Sequence, residues 1–127
     1  EESLRSPLII SAPGMENPGQ KSTAIIETVD LFPTLCDLTG LDQPDFAHGT
    51  SLLPLIEKPN APGHTAFAYN GKAQTLRTDR YRFTLHQDGG TELYDHTFPE
   101  KEAQNIATQF PRKVAELKQL LLQTAAR

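Results

Sequence analysis

The chain has 127 residues, 37% hydrophobic and 22% charged, a globular balance at a length that accommodates one small domain rather than two full ones. Its formal net charge of −4 is a poor match for nucleic acid, which selects clustered Lys and Arg, and no apolar run is long enough to cross a membrane as a helix. The single cysteine, Cys36, excludes an internal disulfide and a cysteine-built zinc site.

Residues 7–12 (Pro-Leu-Ile-Ile-Ser-Ala) form a short apolar run closed by Pro13-Gly14. Bounded by turn residues, this run predicts a strand buried on both faces in the middle of a sheet. Ahead of it, Glu1 to Arg5 carries no apolar stretch, so no signal peptide is expected there. Residues 14–22 read as a loop and 23–26 as a second extended piece. Residues 28–38 predict a helix with Val29, Phe32, Leu35 and Cys36 on its apolar face. Thr39-Gly40 is its stop, and Pro33 must lie in the first turn or kink it. Residues 41–64 are proline-rich and aperiodic except for 51–56, which predict one helical turn burying its leucines, with Ser51 as N-cap.

The remainder is more regular. Strands are predicted over 66–69, 74–78, 81–86 and 91–95, with Asn70-Gly71 and Asp88-Gly89-Gly90 as turns. Short turns between successive strands make an antiparallel meander. Pro111 suits the first turn of a helix running to the chain end, with a stripe of Val114, Leu117, Leu121 and Ala125 widened by Leu120. That helix is expected to cover one face of the sheet.

The fold class read from these elements is α+β: a four-stranded antiparallel sheet covered by a long C-terminal helix, preceded by a strand-helix piece. Three segments follow: 1–45 as strand and helix, 46–64 as a loop-rich linker, and 65–127 as the sheet-plus-helix subdomain. The first segment resembles a βα unit cut from a larger parallel sheet, since a strand buried on both faces needs neighbours at both edges. The chain is therefore expected to be a piece of a longer protein.

No self-sufficient catalytic constellation is legible. Gly49-Thr50-Ser51-Leu52 fails the Gly-x-Ser-x-Gly elbow. Cys36 sits on an apolar helix face beside Asp37, which suits a buried thiol better than a nucleophile. His86, Asp88, Asp95 and His96 could gather as metal ligands around the fourth strand, although strand ends of this kind are usually solvated. Lys72, Arg77, Arg80 and Arg82 make a basic patch that either holds an anionic group or pairs with Asp79, Glu92 and Asp95.

Four segments in order carry a resemblance. Glu1 to Gly14 is similar to the pattern E-x-x-x-R-x-P-L-I-x-x-x-P-G. Val29-Asp30-Leu31-Phe32-Pro33-Thr34-Leu35-Cys36-Asp37-Leu38-Thr39-Gly40-Leu41 is similar to V-D-L-x-P-T-L-x-D-L-x-G-L. Gly49-Thr50-Ser51-Leu52-Leu53-Pro54-Leu55-Ile56 is similar to G-x-S-L-x-P-L-L. Leu76 to Phe83 and Glu92-Leu93-Tyr94-Asp95 are similar to the R-T-x-x-Y-R-Y and E-L-Y-D strands. A D-P-x-E-x-x-N turn normally follows, and here Phe98 takes the place of its Asp within residues 98–105. These segments resemble the C-terminal portion of the sulfatases in the alkaline-phosphatase-like superfamily, and their wording is most similar to the iduronate-2-sulfatase-like branch.

The resemblance implies that the first segment is a strand and helix of the large α/β sulfatase domain and that residues 65–127 are the small C-terminal subdomain. It implies a parent that hydrolyses sulfate esters with Ca²⁺ and a formylglycine made from a C/S-x-P-x-R motif. Cys36, followed by Asp-Leu-Thr-Gly, does not match that motif, so no catalytic or metal residue is carried onto this chain, which is expected to be inactive alone. Asp30 is expected to cap or bracket its helix, and Glu92, Tyr94 and Asp95 to tie the fourth strand to its neighbours. Arg77 is the one candidate for contact with an anionic sugar. The implied partners are the upstream catalytic domain of the same protein and a sulfated sugar or aryl sulfate, with neither nucleic acid nor membrane. A periplasmic or secreted parent is implied. The rival readings are a phosphonate or phosphate ester hydrolase of the same superfamily and a self-associating module, dimerising through the edges of residues 7–12.

Overall fold

The structure is a computed structural model that describes residues 4–16 and 18–125. The chain forms two compact units, divided between His64 and Thr65.

In the first unit a 3-10 turn, Thr28–Asp30, leads into helix α1, Leu31–Thr39, and a short helix α2, Leu53–Glu57, follows. Pro33 is the third residue of α1, where its missing N–H is one the helix would leave unbonded anyway. Gly40 ends α1 at φ +70°, a left-handed cap that suits glycine. Leu52, not Ser51, holds the N-cap position of α2, and Ser51 Oγ accepts the Leu53 N–H at 3.2 Å from one residue further out.

Two expectations for this unit are corrected. Residues 7–12 form no strand, and Ile9 is 92% exposed. A strand needs another strand's backbone to complete its hydrogen bonds, and among the described residues every strand is already paired within the second unit. The helix face is also turned: of the four residues expected to be buried, Cys36 alone is. Val29, Phe32 and Leu35 are each about half exposed or more, whereas Asp30, Pro33, Thr34 and Cys36 are buried. Hydrogen bonding decides this orientation. The loop at 50–52 brings backbone N–H groups that the polar side of α1 satisfies, and buried donors must be satisfied.

The second unit is a meander of β1 (Ala66–Tyr69), β2 (Ala73–Arg77), β3 (Tyr81–His86) and β4 (Thr91–Asp95), all antiparallel in the order β1-β2-β3-β4, then helix α3, Pro111–Thr124. Strand β2 starts one residue earlier than expected. The Asn70 Oδ1 accepts the N–H groups of Lys72 (3.0 Å) and Ala73 (2.8 Å), closing a turn with Gly71 at φ +82°. Leu76, Phe83 and Leu93 lie opposite one another across three strands and are fully buried, packed with Leu117 and Leu121 of α3. The stripe on α3 is as expected except at its end, where Thr124 is buried and Ala125 is exposed. Ala126 and Arg127, the predicted last residues of the helix, lie outside the described residues, as do Glu1, Glu2 and Ser3 of the first motif.

The outer edge of β4 is covered. The Asn105 Oδ1 accepts the Leu93 N–H at 3.0 Å, its Nδ2 donates to the Thr91 carbonyl at 3.2 Å, and the Ile106 N–H donates to the Leu93 carbonyl at 2.9 Å. An exposed edge would invite pairing with another chain. No helix among the described residues is long and apolar enough to cross a membrane.

Candidate functional site

In the first unit the polar residues of two sequence motifs interlock. Asp30, fully buried, accepts the Thr50 N–H on Oδ1 at 2.8 Å and the Glu27 N–H on Oδ2 at 2.7 Å. Glu27 and Asp30 form a reciprocal capping box. Thr34, four residues on, donates its hydroxyl to the Asp30 carbonyl at 2.6 Å and accepts the Leu52 N–H at 2.8 Å. Gly49 passes so close to the 29–30 backbone that a Cβ there would stand 2.5 Å from the Val29 carbonyl oxygen. Asp30 thus brackets its helix, as expected, and also anchors the Gly-Thr-Ser-Leu segment.

His64 completes this arrangement. Its Nε2 lies 2.6 Å from Asp30 Oδ2, its Nδ1 3.7 Å from Glu27 Oε2, and its backbone N–H donates to the Ile25 carbonyl at 3.0 Å. Glu27, Asp30 and His64 are the one group of three His, Cys or carboxylate side chains within metal-ligating reach among the described residues. Sequence reasoning missed it, because no local pattern links a histidine to a carboxylate 34 residues earlier.

In the second unit the sheet face opposite the core carries Arg77, Arg82 and Tyr94 side by side in register. Arg77 donates through Nη2 to His96 Nδ1 at 3.0 Å and through Nη1 to the Thr78 carbonyl. A guanidinium only donates, so Nδ1 is the acceptor and the Nε2–H of His96 donates to Glu102 Oε1, 3.0 Å away. Arg82, buried, pairs with the same Glu102 oxygen. Arg77 is therefore joined to an acidic group through an imidazole.

The expected pairing of the basic patch is redistributed. Arg80 takes Asp95 at 2.6 Å, and that hydrogen-bonded guanidinium holds the Asp95 carboxyl well below the usual carboxylate range although burial acts the other way. Glu92 binds His86 Nε2 at 2.8 Å and accepts the Tyr94 hydroxyl at 2.9 Å. Burial first, then the bond to Glu92 and its charge, push the Tyr94 phenol up to about 12. Glu92, through His86, and Asp95, through Arg80, tie β4 to the strand and turn beside it, whereas among the described residues the Tyr94 hydroxyl bonds only to Glu92 of its own strand. His86, Asp88, Asp95 and His96 do not converge as metal ligands, for His86 is taken by Glu92, His96 by Glu102 and Asp95 by Arg80. Glu102 and Asn105 were also missed as partners. Their E-x-x-N spacing matches the end of the turn motif and was the available signal.

The residues present do not fit the two groups that the family resemblance implies. Calcium takes six to eight oxygen ligands, whereas the one convergent group contributes an imidazole and an aspartate whose oxygens accept backbone N–H groups. Cys36 is a buried thiol within α1 and lies outside any C/S-x-P-x-R motif. No catalytic step is derived through either group.

Comparison with known proteins agrees with this architecture. The model of the family described as N-sulphoglucosamine sulphohydrolase, C-terminal, matches residues 1–127. Arylsulfatase K of Danio rerio is 32% identical over 135 residues, covering 95% of this chain and 26% of that protein. Among solved structures, a 2-O GAG sulfatase is 30% identical with a TM-score of 0.64, covering 77% of this chain and 24% of that one. A protein solved in complex with its substrate D-glucosamine-2-N,6-O-disulfate is 26% identical with a TM-score of 0.69, covering 81% of this chain and 24% of that one. The chain spans about a quarter of the length of the curated relatives it matches.

A four-stranded meander under one long helix, with the interlocked helix and loop before it, is the C-terminal portion of a sulfatase. The chain belongs to the N-sulphoglucosamine sulphohydrolase C-terminal family.

Proposed function

We propose that this chain serves as the C-terminal portion of an enzyme that hydrolyses sulfate esters of sulfated sugars. The observation that carries this reading is the family match over residues 1–127. It is supported by the likeness to one protein named as a 2-O GAG sulfatase and another solved with a sulfated glucosamine. In this reading the upstream part of the same protein supplies a formylglycine and Ca²⁺, and the chain alone is inactive. Placement in the iduronate-2-sulfatase-like branch rests on the spacing of the segments and the wording of Leu76 to Thr84, and export of the parent on the family's habit. Arg77 is the residue proposed to reach an anionic sugar, from a sheet face that also carries Arg82.

The test is sulfate release by the whole gene product from a panel of sulfated disaccharides. Release is expected, with an Arg77→Ala variant that raises KM more than it lowers kcat. Phosphate release in place of sulfate release would support the phosphate or phosphonate ester hydrolase instead.

One observation favours the second reading, a self-associating module: Ile9, Leu41, Phe46 and Leu35 are all more than half exposed, and the Phe32 and Phe46 rings meet at a tilt of 42°. The proposed occupant is a second copy of the chain. Light scattering that gives one-chain mass at high concentration would remove it.

A further inference from the structure

We propose that Asn70 is a site of self-catalysed modification, at which the backbone nitrogen of Gly71 attacks the Asn70 side-chain amide and converts the residue through a cyclic imide to aspartate and isoaspartate. The chain has four asparagines, Asn17, Asn60, Asn70 and Asn105. The reaction needs a following backbone N–H that can turn onto Cγ of the side chain. Pro18, after Asn17, has no N–H. The Ala61 N–H is held by the Lys58 carbonyl at 2.8 Å, and the Ile106 N–H by the Leu93 carbonyl at 2.9 Å. Asn105 is further fixed at both ends of its own amide. The Gly71 N–H, by contrast, donates to no group among the described residues, and Asn70 and Gly71 are both exposed.

The turn supplies the rest of the chemistry. The Asn70 Oδ1 accepts the N–H groups of Lys72 at 3.0 Å and Ala73 at 2.8 Å. Those two donors draw electron density from Cγ and sit where negative charge develops when the amide becomes tetrahedral, the arrangement of an oxyanion hole. Gly71, at φ +82°, has no Cβ to oppose the approach, and a Cβ there would meet nothing nearer than the Tyr69 hydroxyl at 4.0 Å. The Gly71 nitrogen gives its proton to water or hydroxide and bonds to Cγ. The Cγ–Nδ2 bond then breaks, and ammonia leaves with the proton returned through solvent. Water opens the imide at one of its two carbonyls, giving aspartate when the new bond to Cγ is cut and isoaspartate when the original peptide bond is cut. Either product carries one more negative charge than asparagine. Aspartate keeps the acceptor for both N–H groups. Isoaspartate routes the main chain through Cβ and Cγ, which takes that acceptor away from the turn beside the Tyr69 and Gln74 pair of β1 and β2.

The test is incubation of the 127-residue chain at mildly alkaline pH, with and without denaturant, followed by peptide mapping in a mass spectrometer and enzymatic methylation to count isoaspartate. In the folded chain Asn70 is expected to gain about 1 Da, an amide NH2 replaced by OH, and to yield both products. Its rate should rise with pH and exceed the rates at Asn60 and Asn105 by about fivefold or more, since a backbone hydrogen bond must break first at those two sites. Gly71→Ala should slow the conversion about tenfold, because a Cβ narrows the backbone rotation that brings the nitrogen onto Cγ. That substitution strains the turn, so the site selectivity of the unaltered chain is the independent measure. Asn70→Asp, which keeps the acceptor, supplies the authentic product for comparison. An Asn70 that stays unconverted or converts only in denaturant, aspartate without isoaspartate, or an equal rate at Asn60 would each overturn the proposal.

Discussion

Removal of the Asp30 carboxylate is the most informative perturbation of the first unit. Asp30 accepts three hydrogen bonds, from the Glu27 N–H at 2.7 Å, the Thr50 N–H at 2.8 Å and His64 Nε2 at 2.6 Å. A hydrogen bond to a charged group contributes about 1.5–3 kcal/mol. A plain sum of three such bonds overshoots, because Glu27 and His64 stand partly in water and their donors can be rehydrated. Asp30→Ala is therefore expected to destabilise the first unit by about 3–5 kcal/mol, at the upper end for one substitution. Asp30→Asn, which keeps one acceptor oxygen but turns an amide donor toward a donor, should cost about 1–3 kcal/mol. The assay must resolve the two units. All three tyrosines, Tyr69, Tyr81 and Tyr94, lie in the second, so tyrosine fluorescence reports only that unit. Amide hydrogen exchange at Glu27, Thr50 and Leu52 reports the first. Protection at Thr50 should collapse in Asp30→Ala, with tyrosine fluorescence giving a separate readout of the second unit. Unchanged protection at Thr50 would refute the interlock.

The remaining predictions concern strain and ionisation. Gly49→Ala places a Cβ at 2.5 Å from the Val29 carbonyl oxygen on a backbone at φ +99°, and should cost about 1–3 kcal/mol of first-unit stability, read by the same amide exchange. Asp95 has its folded pKa depressed by Arg80, so its stabilising contribution is present above the unfolded value of about 3.9 and is lost as pH falls toward the lower folded value. Acid denaturation followed by tyrosine fluorescence should show that loss below about pH 4, and it should be absent from Asp95→Asn. Tyr94 has its phenol raised from 10.0 to about 12, so its contribution holds below pH 10 and fades as pH climbs through that interval. A late component of tyrosinate absorbance should vanish in Tyr94→Phe and move to lower pH in Glu92→Gln.

The second unit was legible because its signals are local. Alternation in residues 81–86, the Asn70-Gly71 turn and the Leu117/Leu121 spacing each specify structure within a few residues, and the core they build is the one observed. The one-residue shift of β2 arose from Asn70, whose side chain closes the turn over Lys72 and Ala73. The first unit was less legible because its structure depends on distant partners. Apolar content was right for Cys36 but wrong for Val29, Phe32 and Leu35, since the deciding contacts are N–H groups 18 and 20 residues further on. The apolar run at 7–12 specified a strand, and composition carries no information on whether a neighbouring strand is at hand. Asp30 was singled out from its motif position and does bracket its helix, whereas the role of Arg77 remains a proposal. His64 had no signal at all, and Glu102 had one in the E-x-x-N spacing.

The central claim is that this chain has the architecture of a sulfatase C-terminal portion, and the proposal built on it is that the chain alone is inactive. It is tested most directly by hydrolysis of an aryl sulfate by the purified 127-residue chain in the presence of Ca²⁺. The account predicts no sulfate release above the uncatalysed rate. Turnover proportional to chain concentration would contradict it, and loss of that turnover in Cys36→Ala would identify the buried thiol of α1 as the nucleophile.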